Sequence, residues 1–299
     1  MTPIYDTTYT KIKIKNIFLE NKMTFRENYF DKITVEIDCK EKIFEEQSDF
    51  QKIEIFETKN FGKMLVLDGD IMLSDKDEFV YHEMISHMPL TSHPNPKKVL
   101  VVGGGDGGAI REIIKHDSVE EVILCEIDEK VVRTCQKFFP DLTSGLNDKR
   151  VKLAFEDGFK FIDSYTSYFD VILTDSSEPV GFASNLFKED YYRLIKKSLK
   201  PDGIMVSQSE TPWFQDAIMS DMTKAISNVF INVETYCAFI LLYPSGFWTF
   251  TFASDAYSLH KFNKEKSDQL EKTCKYYNTE IHKASLALPN FVKKIVTNR

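Results

Sequence analysis

Residues 98–108 read KVLVVGGGDGG, an apolar run that passes directly into five glycines interrupted by Asp106. The run has strand length and strand composition, and the following segment, GAIREIIKHD, carries apolar residues at helical spacing. Glycine adopts backbone angles closed to other residues and lets a ligand approach the main chain. Gly103, Gly105 and Gly108 stand in the GxGxxG spacing, which is weak evidence by itself. Its place between a strand and a helix gives it weight, and marks a nucleotide- or nucleoside-binding turn.

Outward from this unit the pattern repeats. Strand-like runs at 121–128 (EVILCEID), 151–157 (VKLAFED), 169–175 (FDVILTD) and 203–209 (GIMVSQS) alternate with helical segments such as EKVVRTCQKFF and KEDYYRLIKKSLK. Continuous apolar strands separated by helices predict a parallel sheet covered on both faces. Two last runs, VETYCAFILLY and FWTFTFAS, flank Pro244-Ser245-Gly246 and predict an antiparallel hairpin at one edge. The expected fold class is therefore α/β, a Rossmann-like, doubly wound sheet of the methyltransferase type. Upstream, ITVEID, FQKIEIFET and GKMLVLDGDIML alternate between apolar and polar residues, with turn signals at Asn60-Phe61-Gly62 and Asp68-Gly69. They predict a small antiparallel β domain, followed by a helix over EFVYHEMISHMPL that ends at the breakers in SHPNPKK. The expected division is an N-terminal extension at 1–24, a β-hairpin domain at 25–83 and a catalytic domain at 84–299.

Composition narrows the function. The chain has 299 residues, 42% hydrophobic and 28% charged, as expected of a soluble globular protein. A net charge of -8 argues against nucleic acid or an anionic membrane as partner. No apolar run reaches the roughly 20 residues that span a bilayer, and the N-terminus lacks a secretory core. Five scattered cysteines without a CxxC pair suit reduced thiols, so a cytoplasmic location is expected.

The strand ends carry the chemistry. In an open α/β sheet ligands sit beyond the carboxyl ends of the strands. Here successive strands lead to Asp106, to Glu126 and Asp128, to Glu156, Asp157 and Gly158, and to Asp175. Each acid alone could be a helix N-cap. Together they form a rim that repels a pyrophosphate and attracts cations, so a sulfonium nucleoside with a cationic co-substrate fits better than a dinucleotide. An acid in the glycine loop pairs with an ammonium and repels a carboxylate. Asp106 therefore favours decarboxylated S-adenosylmethionine over S-adenosylmethionine, and aminopropyl transfer over methyl transfer.

From about residue 25 to the C-terminus the chain resembles the spermidine synthases, a family of polyamine aminopropyltransferases. FGKMLVLDG (61–69), DEFVYHEM (77–84), HPNPKKVLVVGGGDGG (93–108), DSSEPVG (175–181), LFKEDYY (186–192) and YPSG (243–246) carry the resemblance in order. It implies transfer of the aminopropyl group of decarboxylated S-adenosylmethionine to putrescine, giving spermidine and methylthioadenosine. It implies Asp175 as the base and Tyr81 as the group that orients the amine. Asp106 would hold the aminopropyl ammonium, Glu126 the ribose, and Asp157 with Gly158 the adenine region. Gln51 would reach the nucleoside, with Gly103 and Gly105 beside it, while Glu178 and Tyr243 would bind the diamine. Many members have Asp where this chain has Glu178, and proline where it has Phe182. No metal and no separate cofactor are required, and a homodimer or larger homo-oligomer is implied. Cadaverine, agmatine and spermidine remain alternative acceptors. A diamine N-methyltransferase and a non-catalytic polyamine-binding protein are the rival readings.

Other candidates carry less. HEMISH (82–87) resembles a zinc-binding HExxH, but five-residue spacing turns the second histidine about 140° from the first on a helix. His82, next to Tyr81, is a candidate for the amine site, whereas His87 reads as packing or surface. Trp213, Tyr29 and Phe30 are candidates for bordering the diamine cleft.

Overall fold

The computed structural model describes residues 23–29, 31–176 and 186–297. Five antiparallel strands come first: β1 (Met23–Tyr29), β2 (Ile33–Gln47), β3 (Lys52–Thr58), β4 (Lys63–Leu67) and β5 (Asp70–Ser74). Each pairs with the next, giving a meander. Asp68 and Gly69, at φ 51° and 98°, close the β4–β5 hairpin in the left-handed region that a two-residue turn demands. The extension expected at 1–24 falls, up to residue 22, outside the described residues.

Helix α1 (Glu78–Ser92) follows, and all of its 15 residues except Phe79 are buried. Its sequence shows little amphipathic pattern because the helix is covered on nearly every side. The division expected between residues 83 and 84 falls within this continuous helix; the meander itself ends at Ser74.

A seven-stranded sheet forms the larger layer. It contains β6 (Lys98–Gly103), β7 (Glu121–Cys125), β8 (Val151–Ala154), β9 (Phe169–Asp175), β10 (Leu199–Gln208), β11 (Asn232–Phe239) and β12 (Phe247–Ser254). Their spatial order is β11-β12-β10-β9-β6-β7-β8. Strands β6 to β10 are mutually parallel, while β12 runs antiparallel to both β10 and β11. The predicted edge hairpin is present, with its second strand on the inside. Helices α2 (Gly108–Ile113), α3 (Glu129–Phe138), α4 (Gly158–Asp163), α5 (Glu189–Ser198) and α6 (Asp216–Ser227) link the strands. Short helices α7 (Lys264–Leu270), α8 (Thr279–Ala284) and α9 (Asn290–Thr297) complete the chain's described C-terminal part.

Central strands are buried on both faces. In β6, Val99 and Val101 enter one apolar cluster, while Leu100 and Val102 enter the other. The meander is anchored separately: Ile53, Ile55, Leu65 and Leu73 pack on Val131, Cys135 and Phe139 around α3. Burying such side chains contributes about 1.5–3 kcal/mol each. That contact sets the meander over the carboxyl ends of the parallel strands and encloses a cavity between the layers.

The order in which strands are added to the sheet reverses between β6 and β9, the place where α/β folds open a crevice. Gly103 pairs with Asp175 across this switch. A Cβ at Gly103 would lie 2.1 Å from the Asp175 carbonyl oxygen, and the residue sits at φ 79°. Gly104 N–H then donates to that same carbonyl at 2.8 Å. The first two glycines thus let two strand ends meet.

Candidate active site

The cavity measures about 490 Å³ and lies between the meander and the strand ends. That is ample for a small-molecule site. Among the described residues its lining includes seven carboxylates, Glu27, Asp68, Asp70, Asp106, Glu126, Asp157 and Asp175, and neither lysine nor arginine. The sequence-predicted residues converge here: Gln51, Tyr81, His82, Gly103, Gly105, Asp106, Glu126, Asp157, Gly158, Asp175 and Tyr243 all line the cavity. Glu178 and Phe182 lie outside the described residues, as does Phe30.

At one end the acids are held by backbone. Glu126 accepts from Gly105 N at 3.1 Å and Asp128 N at 2.9 Å. Gly105 permits this, since a Cβ there would lie 2.9 Å from the Glu126 carboxylate. Burial pushes Glu126 up to about 7, against the pull of those N–H groups. Asp157 caps α4, accepting from Phe159 N at 2.8 Å and Lys160 N at 3.3 Å through one oxygen. Asp128 caps α3 and also receives Ser48 Oγ at 2.6 Å and Gln51 Nε2 at 3.1 Å. Asp128 and Asp157 therefore act as N-caps, the alternative the sequence left open for them. Apolar side chains (Val102, Ile127, Val131 and Leu186) supply a surface for a flat ring.

The other end centres on Asp175, at the tip of β9. Tyr81 of α1 donates its hydroxyl to Asp175 Oδ1 at 2.6 Å. Its ring packs on Phe250 and Tyr243, at centroid distances of 5.2 and 6.0 Å. Among the described residues Asp175 Oδ2 has no hydrogen-bond partner, although it is buried. Burial, then the charge of Asp106, pushes the Asp175 carboxyl up to about 6, opposed by His82 and the Tyr81 hydroxyl. Such a group can bind a cation and take a proton near neutral pH. A nitrogen of His82 and one oxygen each from Asp106 and Asp175 lie within 4.8 Å of one another. His82 touches Asp106 at 3.1 Å and Glu78 at 2.7 Å. Tyr243 lines the cavity, but its hydroxyl donates at 2.7 Å to the Met72 carbonyl and so ties the β11–β12 turn to the meander.

Several residues here escaped the sequence reading. Glu27 is buried on β1, flanked on the same face by Phe25 and Tyr29. An acid inside that inward alternation was the available signal. Burial, then Asp70, pushes Glu27 up to about 7, and its Oε2 is without a partner among the described residues. Glu210 follows β10 at φ 65°, accepts from Gln208 Nε2 at 2.9 Å, and is likewise pushed up to about 7 by burial. Tyr29, a cleft candidate from the sequence, does line this end; its hydroxyl donates to Gln215, with Glu210 3.4 Å away. Trp213 does not share the role considered for it; its ring is 58% exposed and packs on Phe291.

Comparisons with known proteins show the family. Residues 78–266 match the family model described as the spermine/spermidine synthase domain, and residues 23–75 match the spermidine synthase tetramerisation domain. The polyamine aminopropyltransferase of Bacillus subtilis is 47% identical over 251 residues, covering 84% of this chain and 90% of its own. That of Shouchella clausii is 43% identical over 272 residues, covering 91% and 98%. A crystal structure of a spermidine synthase with the transition state analogue AdoDATO superposes with a TM-score of 0.90 at 40% identity, covering 93% of this chain and 96% of that one. The Thermotoga maritima spermidine synthase gives 0.87 at 40% identity, covering 92% and 94%. This chain belongs to the spermine/spermidine synthase family and is a polyamine aminopropyltransferase.

Proposed function

We propose that the enzyme transfers the aminopropyl group of decarboxylated S-adenosylmethionine to putrescine, releasing spermidine and methylthioadenosine. One observation carries the reading: seven carboxylates and no lysine or arginine line the described part of the cavity. Both substrates are cations, and neither carries a carboxylate. The family's aminopropyl transfer displaces the rival methyl-transfer and binding-only readings.

The nucleoside occupies the end of the cavity at β6–β8. Glu126 accepts the ribose hydroxyls, Gln51 reaches the nucleoside, and the adenine lies on the apolar patch beside Asp157 and Gly158. The aminopropyl tail runs past Gly103 and Gly105 to Asp106, which pairs with its ammonium. Putrescine lies at the opposite end, its far ammonium toward Glu27, Asp70 and Tyr243. Its near nitrogen faces Asp175 and the Tyr81 hydroxyl.

A protonated amine, with a pKa near 10, is no nucleophile. Asp175 Oδ2 takes its proton, and Tyr81 keeps the carboxylate and amine aligned. The freed nitrogen pair attacks the carbon bound to sulfur. A C–N bond forms, the C–S bond breaks, and its electrons leave with sulfur, which departs as a neutral thioether. No acid is needed at the leaving group, and in-line alignment supplies much of the rate. The match of residues 23–75 to a tetramerisation domain supports a homo-oligomer, a dimer or larger.

An acceptor panel tests this. With decarboxylated S-adenosylmethionine as donor, putrescine should give the highest kcat/KM among putrescine, cadaverine, agmatine and spermidine. Preference for spermidine, or methyl transfer from S-adenosylmethionine, would overturn the assignment.

A further inference from the structure

Helix α1 delivers two neighbouring side chains to two different carboxylates. Tyr81 meets Asp175, and His82 meets Asp106. One turn earlier on the helix, Glu78 shares a face with His82 and contacts its other ring nitrogen, Nδ1, at 2.7 Å. Arg111 of α2 grips Glu78 with both terminal nitrogens, each at 2.9 Å. Its Nε donates to Glu112 at 2.8 Å, which fixes the guanidinium from behind. The result is one file of alternating charge, Arg111, Glu78, His82, Asp106, with its two middle members buried and its ends half-buried.

We infer that Glu78, clamped by Arg111, is a positioning residue: it holds His82 as an imidazolium whose second N–H fixes Asp106 at the reacting end of the cavity. This inference assigns new work to residues behind the site proposed above, and its kinetic arm rests on that reading. A neutral imidazole has a single N–H, so it can satisfy only one of two flanking carboxylates and turns a lone pair toward the other. His82 is hydrogen-bonded to Glu78 through Nδ1 and places Nε2 3.1 Å from Asp106 Oδ1, and only a charged ring presents a proton toward both carboxylates. Against burial, His82 and then the two hydrogen bonds from Arg111 hold the Glu78 carboxyl below the usual carboxylate range.

Packing holds the ring in that orientation. A Cβ at Gly108 would lie 2.3–2.5 Å from three His82 ring atoms, so the bare start of α2 is the slot for the imidazole. Gly108 N–H also donates to Asp106 Oδ1 at 2.7 Å, the same oxygen that His82 contacts. One oxygen of Asp106 is thereby immobilised. The last glycine of the GxGxxG run thus serves a histidine of α1.

The charge on His82 reaches further than its contacts. Around it stand Glu78 and Tyr81 from α1, Asp106 from the glycine loop and Asp175 from β9, while Arg111 from α2 acts on its partners Glu78 and Asp106, and Tyr243 from the β11–β12 turn borders Tyr81. Burial opposes its charge, but Asp106 and Glu78 hold His82 well above the usual histidine range. In return, against burial, it keeps Asp106 below the usual carboxylate range. It also opposes the push of Asp106 on Asp175. With a neutral His82, only the Tyr81 hydroxyl would oppose the push of Asp106 on Asp175, and the proposed base would stay protonated at higher pH.

Two measurements test the file. Side-chain nitrogen NMR of ligand-free wild-type enzyme, with His82 assigned through His82→Gln, should find an imidazolium through pH 8. A ring that titrates near 6.5 overturns the inference, and this reading needs neither substrate nor a stable Glu78 variant. In Glu78→Gln the acid limb of kcat/KM for putrescine should move up by about 1 pH unit, the scale of losing one close opposite charge. Glu78→Asp keeps the charge and should return the limb toward the wild-type position. Equal loss of activity at every pH, with the limb unmoved, would leave Glu78 a purely structural residue and sink the proposal. Failure of the acceptor assignment would show in the substrate panel and leave the imidazole titration untouched.

Discussion

The two ends of the cavity hold carboxylates in opposite conditions. At the nucleoside end, Glu126, Asp128 and Asp157 each accept at least one backbone N–H from their own or a neighbouring loop. At the amine end, Asp175 Oδ2 and Glu27 Oε2 are buried without a partner among the described residues. Backbone N–H groups stabilise an anion whether or not a ligand is bound, so the first end is pre-organised at small cost to the fold. Unpaired buried acids destabilise the empty protein and gain their partner when a cation enters. Under the proposed function, the nucleoside end is thus suited to shape and hydroxyls, and the amine end to charge.

The largest expected effect lies at the amine end. Asp175→Asn keeps the shape and can still accept from Tyr81, but it removes the proposed proton acceptor. Single-turnover rates should fall by about 10²–10⁴-fold, the range for losing a general base. Calorimetric affinity for methylthioadenosine should stay within about twofold, because Asp175 makes no contact with Glu126 or Gln51 that an Asn breaks; a parallel loss of nucleoside affinity would merge the two ends. Glu126→Gln makes the converse cut. It should weaken methylthioadenosine by about 10–100-fold, as for hydrogen bonds to a charged group, and leave the KM for putrescine near its wild-type value.

Glu27→Gln tests the stored charge. Because the folded protein raises this carboxyl to about 7, above its unfolded value, its ionisation opposes folding at pH 8. The penalty shrinks as pH falls through 7 and vanishes below the unfolded value. The variant should therefore melt about 2–4 °C higher than wild type at pH 8, the shift for roughly 1 kcal/mol in a chain of this size. That advantage should disappear near pH 4, while the KM for putrescine rises about tenfold at pH 8. A lower melting temperature at pH 8 would show that Glu27 is paired in solution. Tyr243→Phe is the smallest cut. It loses only the bond to the Met72 carbonyl, at 2.7 Å, and should raise the putrescine KM by a few-fold, in line with about 1 kcal/mol for a neutral hydrogen bond.

The nucleoside end was the legible one. Gly103, Gly105, Asp106, Glu126, Asp157 and Gly158 stand at or just beyond strand ends whose apolar runs are visible in the chain. A single alternation of strands and helices therefore brings them to one rim. Strand limits were less legible: the second and third parallel strands stop at Cys125 and Ala154, before the acids, because those acids hold the following turns and helices. The amine end draws instead on β1, α1, the tip of β9, the end of β10 and the β11–β12 turn. Glu27 looks like any strand charge until its neighbours Phe25 and Tyr29 are seen to point inward with it.

By itself, the sequence determined the fold class, the glycine turn and the acids that each strand presents, since these follow from periodicity and from residues within a few positions of one another. Only the tertiary structure decided which oxygen is paired and which is free. That depends on Arg111, Glu78 and His82 meeting across two helices, and on a meander of strands closing over the sheet. Charge in a buried site is set by distances between groups far apart in the chain, and such distances exist only once the layers have packed.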